Sequence, residues 1–188
     1  GALTAAVAHA QTAPLTPDVP PKAFVADASS YDYVKRDVMI PMRDGVKLHT
    51  VILVPKSVLG GRSAPILLTR TPYNATELTS HHESASLSMA LDGYDNAVDV
   101  IVDGGYIRVV QDIRGKYGSE GDYVMNRPLT GPLNRTGIDH ATDAYDTIAW
   151  LVKNVPEANG KVGVIGSSYP GFTTLMALFS PHPALKAA

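Results

Sequence analysis

The sequence predicts an α/β fold in which an N-terminal β-hairpin is followed by a mostly parallel sheet with flanking helices. The first observation is Arg43-Asp44-Gly45 between two strand-like stretches, residues 34–42 and 46–55, because Asp-Gly between two strands is a strong hairpin signal. The second is that short apolar runs alternate with helical patterns beyond residue 64. Strands that alternate with helices pair mostly in parallel, because each helix carries the chain back across the sheet.

Each strand has a local signal. In residues 46–55, every second side chain is expected on one face of the strand, namely Val46, Leu48, Thr50, Ile52 and Val54. Residues 64–69 (APILLT) are a continuous apolar run, which is typical of a strand buried on both faces. Residues 106–113 (YIRVVQDI) are interpreted as another buried strand. Residues 161–165 (KVGVI) predict a further strand.

Caps and spacing predict the helices. Asp139 is placed to cap a helix whose apolar residues recur at helical intervals over 139–152, and the Asn-Gly pair at 159–160 is expected to end that segment. A second, apolar helix is expected over residues 169–179. A short helix is also predicted at 85–91, inside an irregular excursion of the chain.

Composition excludes several classes of protein. The chain has 188 residues, a net charge of −2, 45% hydrophobic residues and no cysteine. It therefore has no disulfide scaffold, no thiolate nucleophile and no cysteine-ligated metal. Without Lys/Arg runs or an apolar stretch of roughly 18 residues, we expect neither a nucleic-acid nor a membrane partner. The sequence gives no signal for a cofactor, and four aspartates over 92–103 lack the EF-hand spacing, which favours a solvated loop over a Ca²⁺ site.

The N-terminal residues divide into two segments before the main domain, 34–188. Residues 1–10 (GALTAAVAHA) end in Ala-His-Ala before Gln11, which fits a signal-peptide cleavage site, so we expect a signal-peptide remnant and a secreted or periplasmic bacterial protein. A plain Ala-rich N-terminus is the alternative. Residues 11–33 form a Pro-rich arm, with four prolines between residues 12 and 22, and such a segment is too extended to build a core.

The segment with the most chemical information is 162–171 (VGVIGSSYPG), where a buried strand meets Gly-x-Ser and then a helix. The small residues Gly166 and Gly171 leave room for a sharp turn that holds Ser168 in a strained conformation and lifts its hydroxyl out of the sheet. The backbone N–H of Tyr169 is then placed to donate to the oxyanion of a tetrahedral intermediate. This arrangement predicts a nucleophile elbow.

Two features of this segment bear on whether it is a nucleophile elbow. Pro170 stands where the common elbow pattern G-x-S-x-G has its second glycine, which here comes one residue later as Gly171. Pro170 also biases Tyr169 away from helical backbone angles, although proline is tolerated in a first helical turn. Gly-rich strand-to-helix turns also bind phosphates, but here no lysine follows the glycines. The pattern therefore favours the nucleophile over a phosphate site.

Several stretches resemble the CocE/NonD group of serine hydrolases, which have the α/β-hydrolase fold and include X-Pro dipeptidyl peptidases, cocaine-esterase-like enzymes and α-amino acid ester hydrolases. The matching stretches are PMRDGVKLHT (41–50), RTPY (70–73), QDIRGKYGSEGDY (111–123), DHATDAYDTIAWLVKN (139–154) and GKVGVIGSSYPGFT (160–173). The resemblance covers roughly residues 34–188 and implies the N-terminal part of such a fold.

The resemblance also implies roles for single residues. GSSYPG matches the group's G-x-S-Y-x-G, so Ser168 takes the place of the nucleophile. RTPY matches a second motif, in which the hydroxyl of Tyr73 completes the oxyanion hole beside the N–H of Tyr169. Residues 104–134 are most similar to α-amino acid ester hydrolases, which implies α-amino acid esters and β-lactam side-chain amides as substrates. A broader esterase, an acylase or an X-Pro dipeptidyl peptidase is the alternative.

The acid and the base of a catalytic triad are missing. In this fold the order is Ser, then Asp or Glu, then His, and after Ser168 the chain has no acidic residue and only His182. His182 is expected too far along the helix to act as the base. We therefore expect a chain truncated after the elbow and inactive by itself; a non-catalytic fragment or scaffold is the alternative from another class.

The remaining polar residues are interpreted as structural. Asp112 and Arg114 follow a central strand and are expected to form ion pairs and a turn. The fold order argues against His49, His140 or the pair at 81–82 as the base. The expected partner is a small ester or amide substrate, and the Pro-rich arm, as in similar enzymes, suggests a homo-oligomer.

Overall fold

The computed structural model describes residues 33–80, 101 and 104–188. The strands in these residues are β1, Tyr33–Pro41; β2, Lys47–Pro55; β3, Ala64–Thr71; β4, Ile107–Asp112; β5, Ala158–Val164; and β6, Leu185–Ala187. The helices are α1, Ala75–Leu78; α2, His140–Asn154; and α3, Tyr169–Ala177, and a 3-10 turn spans Lys56–Val58. In this part of the chain no helix is long and apolar enough to cross a membrane.

Some sequence predictions fall outside the described residues. They are the signal-peptide remnant at 1–10, the Pro-rich arm at 11–33 apart from Tyr33, the helix at 85–91 and the acidic cluster over 92–103. The histidine pair at 81–82 also lies there. These expectations stay predictions.

The sheet confirms the predicted topology. Its strands lie in the order β1-β2-β4-β3-β5-β6. β2 runs antiparallel to both β1 and β4, whereas β4, β3, β5 and β6 pair in parallel. Because parallel strands end at the same edge, the residues that follow β3, β4 and β5 gather at one edge of the sheet, which we call the carboxyl edge.

The β1–β2 hairpin closes where Asp-Gly predicts. The N–H of Gly45 donates to the carbonyl of Met42 at 2.9 Å, and the N–H of Met42 donates to the carbonyl of Val46 at 2.8 Å. Gly45 has a φ of +87°, a left-handed conformation that glycine adopts without the steric cost of a Cβ. The turn chemistry therefore fixes the hairpin register, with Ile40 opposite Leu48.

The central strands are buried on both faces. Within β2, the predicted face supplies Leu48, Ile52 and Val54 to the cluster under α2, whereas Val51 and Leu53 pack in a second cluster on the opposite face. All five side chains are almost completely buried, and burial of each contributes roughly 1.5–3 kcal/mol. The alternation predicted for this strand is confirmed, but its second face is also part of the core.

Helix α2 begins as predicted and ends earlier than predicted. The Asp139 side chain accepts from the N–H of Thr142 at 2.8 Å, and the Thr142 hydroxyl accepts from the N–H of Asp139 at 2.8 Å, which forms a capping box. The helix ends at Asn154, and the Asn-Gly pair at 159–160 lies inside β5. Pro156 explains the difference, because the residue before a proline is driven out of helical angles.

The chain continues past the elbow further than the sequence analysis predicts. After α3 it returns to the sheet as β6, which pairs in parallel with β5 through Val162 and Leu185. This strand has only three residues, and no alternation can be read from so short a run. The described fold thus extends through the elbow helix and one further strand.

Candidate active site

Ser168 lies on a sharp turn between the end of β5 and the start of α3. Its backbone angles are φ 54° and ψ −124°, outside the regions that a non-glycine residue ordinarily adopts. Such a conformation costs about 1–3 kcal/mol, and it persists only where the surrounding structure imposes it. The residue is exposed at the carboxyl edge. The predicted strained elbow is therefore present.

Two glycines make the turn sterically feasible. A Cβ on Gly166 would collide with the main chain and ring of Pro170. A Cβ on Gly171 would lie 3.3 Å from the carbonyl oxygen of Gly166, tighter than an ordinary contact. Pro170 is buried in the first turn of α3, so the helix accommodates it without losing its start at Tyr169. The elbow thus requires the small residues that the sequence places there.

Hydrogen bonds to β3 hold the elbow against the neighbouring strand. The Thr69 hydroxyl donates to the carbonyl of Ile165 at 2.8 Å, and the N–H of Ile165 donates to the carbonyl of Leu68 at 3.0 Å. On the helix side, the Thr173 hydroxyl donates to the carbonyl of Arg70 at 2.8 Å. The turn is therefore clamped on both sides of Ser168.

Tyr73 follows the carboxyl end of β3, the strand beside β5. Its N–H donates to the Thr71 hydroxyl at 3.1 Å, and its side chain is 51% exposed. Because β3 and β5 are adjacent and parallel, Tyr73 and Ser168 both lie just beyond the same edge of the sheet. The role of the Tyr73 hydroxyl as an oxyanion donor stays a prediction.

Tyr169 is half-buried and contacted from several directions. Its hydroxyl accepts from the backbone N–H of Asn126 at 3.2 Å. Its ring meets the rings of His140 and Phe172 edge-on, with centroids 6.3 Å and 5.5 Å away. Burial raises the pKa of the Tyr169 phenol, although the Asn126 hydrogen bond opposes the shift. Sequence reasoning identified Tyr169 through its N–H alone and missed this contact to the loop after β4.

The arginine of RTPY is a structural anchor beneath the site. Arg70 is completely buried, and its guanidinium donates to Gln111 Oε1 and to the carbonyl of His140, both at 2.8 Å. It also lies 3.6 Å from the Asp143 carboxylate. Burial lowers the pKa of Arg70, while the charge of Asp143 opposes that shift. The arginine thus ties β3, which leads to Tyr73, to β4 and α2.

Arg114 forms ion pairs with two aspartates from other parts of the chain. It donates to Asp143 Oδ1 at 2.7 Å and to Asp44 Oδ2 at 2.8 Å, joining the loop after β4 to α2 and to the hairpin turn. Burial alone would lower the pKa of Arg114, but its hydrogen bonds to Asp143 and Asp44 raise it. The structure agrees with the structural interpretation of Arg114 and supplies its partners.

Asp112 is also held by structural contacts. Its completely buried carboxylate accepts from the N–H of Ala75 at 2.7 Å and from the N–H of Gly118 at 3.3 Å. It also lies 2.9 Å from His49 Nδ1. The three contacts join the end of β4 to α1, to the loop after β4 and to β2, so this carboxylate organises the edge of the sheet.

The three described histidines have different surroundings. His49 is paired with Asp112 and Asp37, and His182 meets the ring of Tyr145 edge-on with centroids 4.8 Å apart. His140 is buried, and neither of its ring nitrogens has a partner within residues 33–80, 101 and 104–188. Burial lowers the pKa of His140 to about 3, so the ring is neutral near pH 7. In that part of the chain, none of the three forms a hydrogen bond with Ser168.

The sheet order, the antiparallel β2 and the strained serine after β5 define an α/β-hydrolase fold with a serine on a sharp strand-to-helix turn. Residues 44–188 match the X-Pro dipeptidyl-peptidase (S15) family, and the chain belongs to this family of hydrolases. The cocaine esterase of Rhodococcus sp. (strain MB1 Bresler) is 32% identical over 154 residues, which cover 82% of this chain and 22% of that protein. The resemblance to the CocE/NonD group is thereby confirmed.

Two solved structures are closer in sequence. An α-amino acid ester hydrolase labelled with selenomethionine is 64% identical, with a TM-score of 0.79 over 94% of this chain and 28% of that chain. An aminopeptidase from a marine sediment archaeon, Thaumarchaeota archaeon, is 56% identical, with a TM-score of 0.78 over 92% of this chain and 27% of that chain. The 188 residues therefore span about a quarter of the length of the relatives that they match.

Proposed function

We propose that this chain carries the nucleophile and the oxyanion donors of a serine hydrolase that acts by acyl transfer on α-amino acid esters and β-lactam side-chain amides. The observation that carries the proposal is the backbone of Ser168, with φ 54° and ψ −124°, between β5 and α3. Strain at an exposed polar residue is a mark of a functional site, because folding alone gains nothing from it. The 64% identity to an α-amino acid ester hydrolase supports the substrate class.

The proposed reaction has two steps. The Ser168 oxygen attacks the carbonyl carbon of the ester or amide while a base removes its proton, and the carbonyl electron pair moves onto oxygen. The N–H of Tyr169 and the hydroxyl of Tyr73 stabilise that oxyanion. The intermediate collapses, and the alcohol or amine leaves with the proton. Water or another amine then attacks the acyl-enzyme by the same path and releases Ser168.

The triad acid and base are proposed to come from polypeptide outside these 188 residues. No acidic residue follows Ser168, and none of the described histidines forms a hydrogen bond with Ser168. We call the polypeptide that includes this chain together with that acid and histidine the complete enzyme. Oxyanion donors without the base leave serine a weak nucleophile, so the 188 residues by themselves are expected to be inert.

An aminopeptidase activity is a second candidate. The 56% identity to an archaeal aminopeptidase favours it, and that name, like α-amino acid ester hydrolase, refers to substrates with an α-amino group. Export of the protein, supported by residues 1–10, and a homo-oligomer formed through the arm at 11–33 remain proposals of the same kind.

The nucleophile is tested by comparing two adjacent serines in the complete enzyme. Ser168→Ala is expected to lower kcat about a million-fold and to abolish labelling by a fluorophosphonate probe. Ser167→Ala is the matched control, because Ser167 is also exposed and precedes the strained position. Labelling that survives in Ser168→Ala, or that is lost in Ser167→Ala instead, would refute the assignment.

The substrate class is tested with phenylglycine methyl ester and ampicillin, with a plain acetate ester and an alanyl peptide as comparisons. Faster turnover of the first two is expected. Turnover of the plain ester alone would point to a broader esterase, and preference for the peptide to an aminopeptidase. A complete enzyme with a folded elbow but no turnover of any of the four would point to a non-catalytic scaffold.

A further inference from the structure

The residue after the nucleophile is tied to the loop that follows β4. The Tyr169 hydroxyl accepts from the N–H of Asn126 at 3.2 Å, and the Tyr123 phenol adjoins the same hydroxyl. Asn126 has a φ of +50°, a left-handed conformation that a non-glycine residue rarely adopts. The contact with Tyr169 therefore forms although Asn126 adopts an unfavourable backbone conformation. It places residues 123–126 against the elbow helix.

The near end of this loop is anchored on β2. The N–H of Glu120 donates to the carbonyl of Lys47 at 2.9 Å, and the N–H of His49 donates to the Ser119 hydroxyl at 2.8 Å. The Ser119 hydroxyl in turn donates to the carbonyl of Asp112 at 2.7 Å. The loop therefore has a fixed base, and its contact with Tyr169 fixes its far end.

Gly115 allows the loop to fold back on itself. Its φ is +72°, and a Cβ at this position would collide with the main chain of Tyr123. Both features require glycine, since no other residue combines this conformation with so close an approach. The loop from Gly115 to Asn126 thus has a defined conformation and returns to the first residue of the elbow helix, Tyr169.

The far end of the loop exposes apolar side chains. Tyr123, Val124 and Met125 are exposed by 39%, 42% and 68%. Three consecutive exposed side chains of this kind are unfavourable in water, and beside a nucleophile they are what lines a pocket for an apolar group. Their neighbour Asn126 makes the contact with Tyr169, so the apolar run lies within one residue of the elbow contact.

We propose that the Tyr169 side chain holds the loop 115–126 beside Ser168, and that residues 123–125 form the wall that receives the apolar part of the acyl group. The inference rests on the proposed function and adds a determinant of specificity to it. Tyr169 then has two separate tasks: its N–H donates to the oxyanion, and its phenol is a positioning group for the wall. The wall favours acyl groups with a phenyl or comparable apolar substituent.

The test uses two esters with the same leaving group, 4-nitrophenyl acetate and 4-nitrophenyl phenylacetate, so that they differ only in a phenyl ring on the acyl side. In the complete enzyme, Tyr169→Phe removes the hydroxyl and keeps the ring and the backbone N–H. The ratio of kcat/KM for phenylacetate to that for acetate is expected to fall about tenfold, mainly through a higher KM for phenylacetate. Tyr117→Phe is the control, because Tyr117 is exposed in the same loop and contacts Lys116.

Met125→Ala provides a second variant that does not endanger the fold, because this side chain is largely exposed. It is expected to lower the same ratio. The double variant is expected to fall short of the product of the two single effects, because both substitutions act on the same wall. An unchanged ratio in Tyr169→Phe, or an equal fall in Tyr117→Phe, refutes the inference. If turnover survives in Ser168→Ala, the proposed function itself fails; if turnover needs Ser168 but the ratio is unchanged, only the loop inference fails.

Discussion

Two polar regions at the carboxyl edge differ in how their groups are satisfied. Asp112 and Arg114 are buried, and each has at least two hydrogen-bonded partners from other parts of the chain. Ser168 and Tyr73 are exposed, and their hydroxyls have no hydrogen-bond partner among the described residues. The hydrogen bonds of Asp112 and Arg114 offset the cost of burying these polar side chains. The hydrogen bonds that hold Ser168 and Tyr73 involve only their backbone. We therefore expect a substitution in the buried, paired groups to change stability, and a substitution of the exposed hydroxyls to change the proposed activity.

The comparison is most sharply tested at Arg114. Replacing it by Leu removes the guanidinium between Asp143 and Asp44 and leaves the buried Asp143 carboxylate with Arg70, 3.6 Å away, as its remaining cationic neighbour. The loss of the closer partner is expected to cost about 3 kcal/mol of the free energy of unfolding. Urea unfolding measures the loss. Arg62→Leu is the matched control, because Arg62 is exposed. If the free energy of unfolding fell by less than about 1 kcal/mol, Arg114 would contribute no more than an exposed ion pair does, and the comparison would be wrong.

A substitution of Tyr73 should lower activity and leave stability unchanged. Tyr73→Phe in the complete enzyme is expected to lower kcat about 100- to 1,000-fold, since one oxyanion donor is lost, with little change in KM. Its thermal unfolding should match that of the parent protein, because the side chain is 51% exposed. Tyr117→Phe serves as the control for removing an exposed phenol. A kcat within threefold of the parent value contradicts the role given to Tyr73.

The buried His140 predicts a pH effect on stability. Burial lowers its pKa to about 3, whereas the unfolded chain keeps the ordinary value of 6.5. Below pH 6.5 the unfolded state binds a proton that the folded state does not, so stability is complete above that pH and falls as the pH drops toward 3. Between pH 6.5 and pH 5 the loss is about 2 kcal/mol.

The measurement compares urea unfolding of the parent protein and of His140→Phe at both pH values. The phenyl ring keeps the edge-on contacts with Tyr169 and Phe172, whose centroids lie 6.3 Å and 5.3 Å from the imidazole, and it cannot take up a proton. The variant should therefore lose about 2 kcal/mol less than the parent protein. Equal losses would show that His140 does not titrate in this way.

Local features of the chain were predictable from the sequence. The Asp-Gly hairpin, the Asp139 cap and the strained Ser168 each depend on a few neighbouring residues, and each is present in the structure. The predicted end of α2 was wrong, because the helix stops before Pro156 and the Asn-Gly pair at 159–160 belongs to β5. Strand β6 was missed, because its pairing with β5 and not its three residues defines it.

Features that depend on distant partners were not predictable. The residues around Arg114 do not predict its partner Asp44, which lies 70 residues away in sequence. Likewise, the residues around Tyr169 do not predict its contact with the N–H of Asn126. Such contacts follow from the sheet order, which a single sequence does not show. The catalytic roles of Ser168 and Tyr73 remain predictions, since they concern a reaction and not a fold.

The clamp between β3 and the elbow has a consequence for synthesis. The hydrogen bond from Thr69 to the carbonyl of Ile165 joins residues 96 apart in sequence, so it cannot form until most of this chain has left the ribosome. Until β5 docks beside β3, these contacts do not impose the unusual backbone on Ser168. The strained conformation of this serine is therefore acquired late in folding, after the strands that hold it have paired.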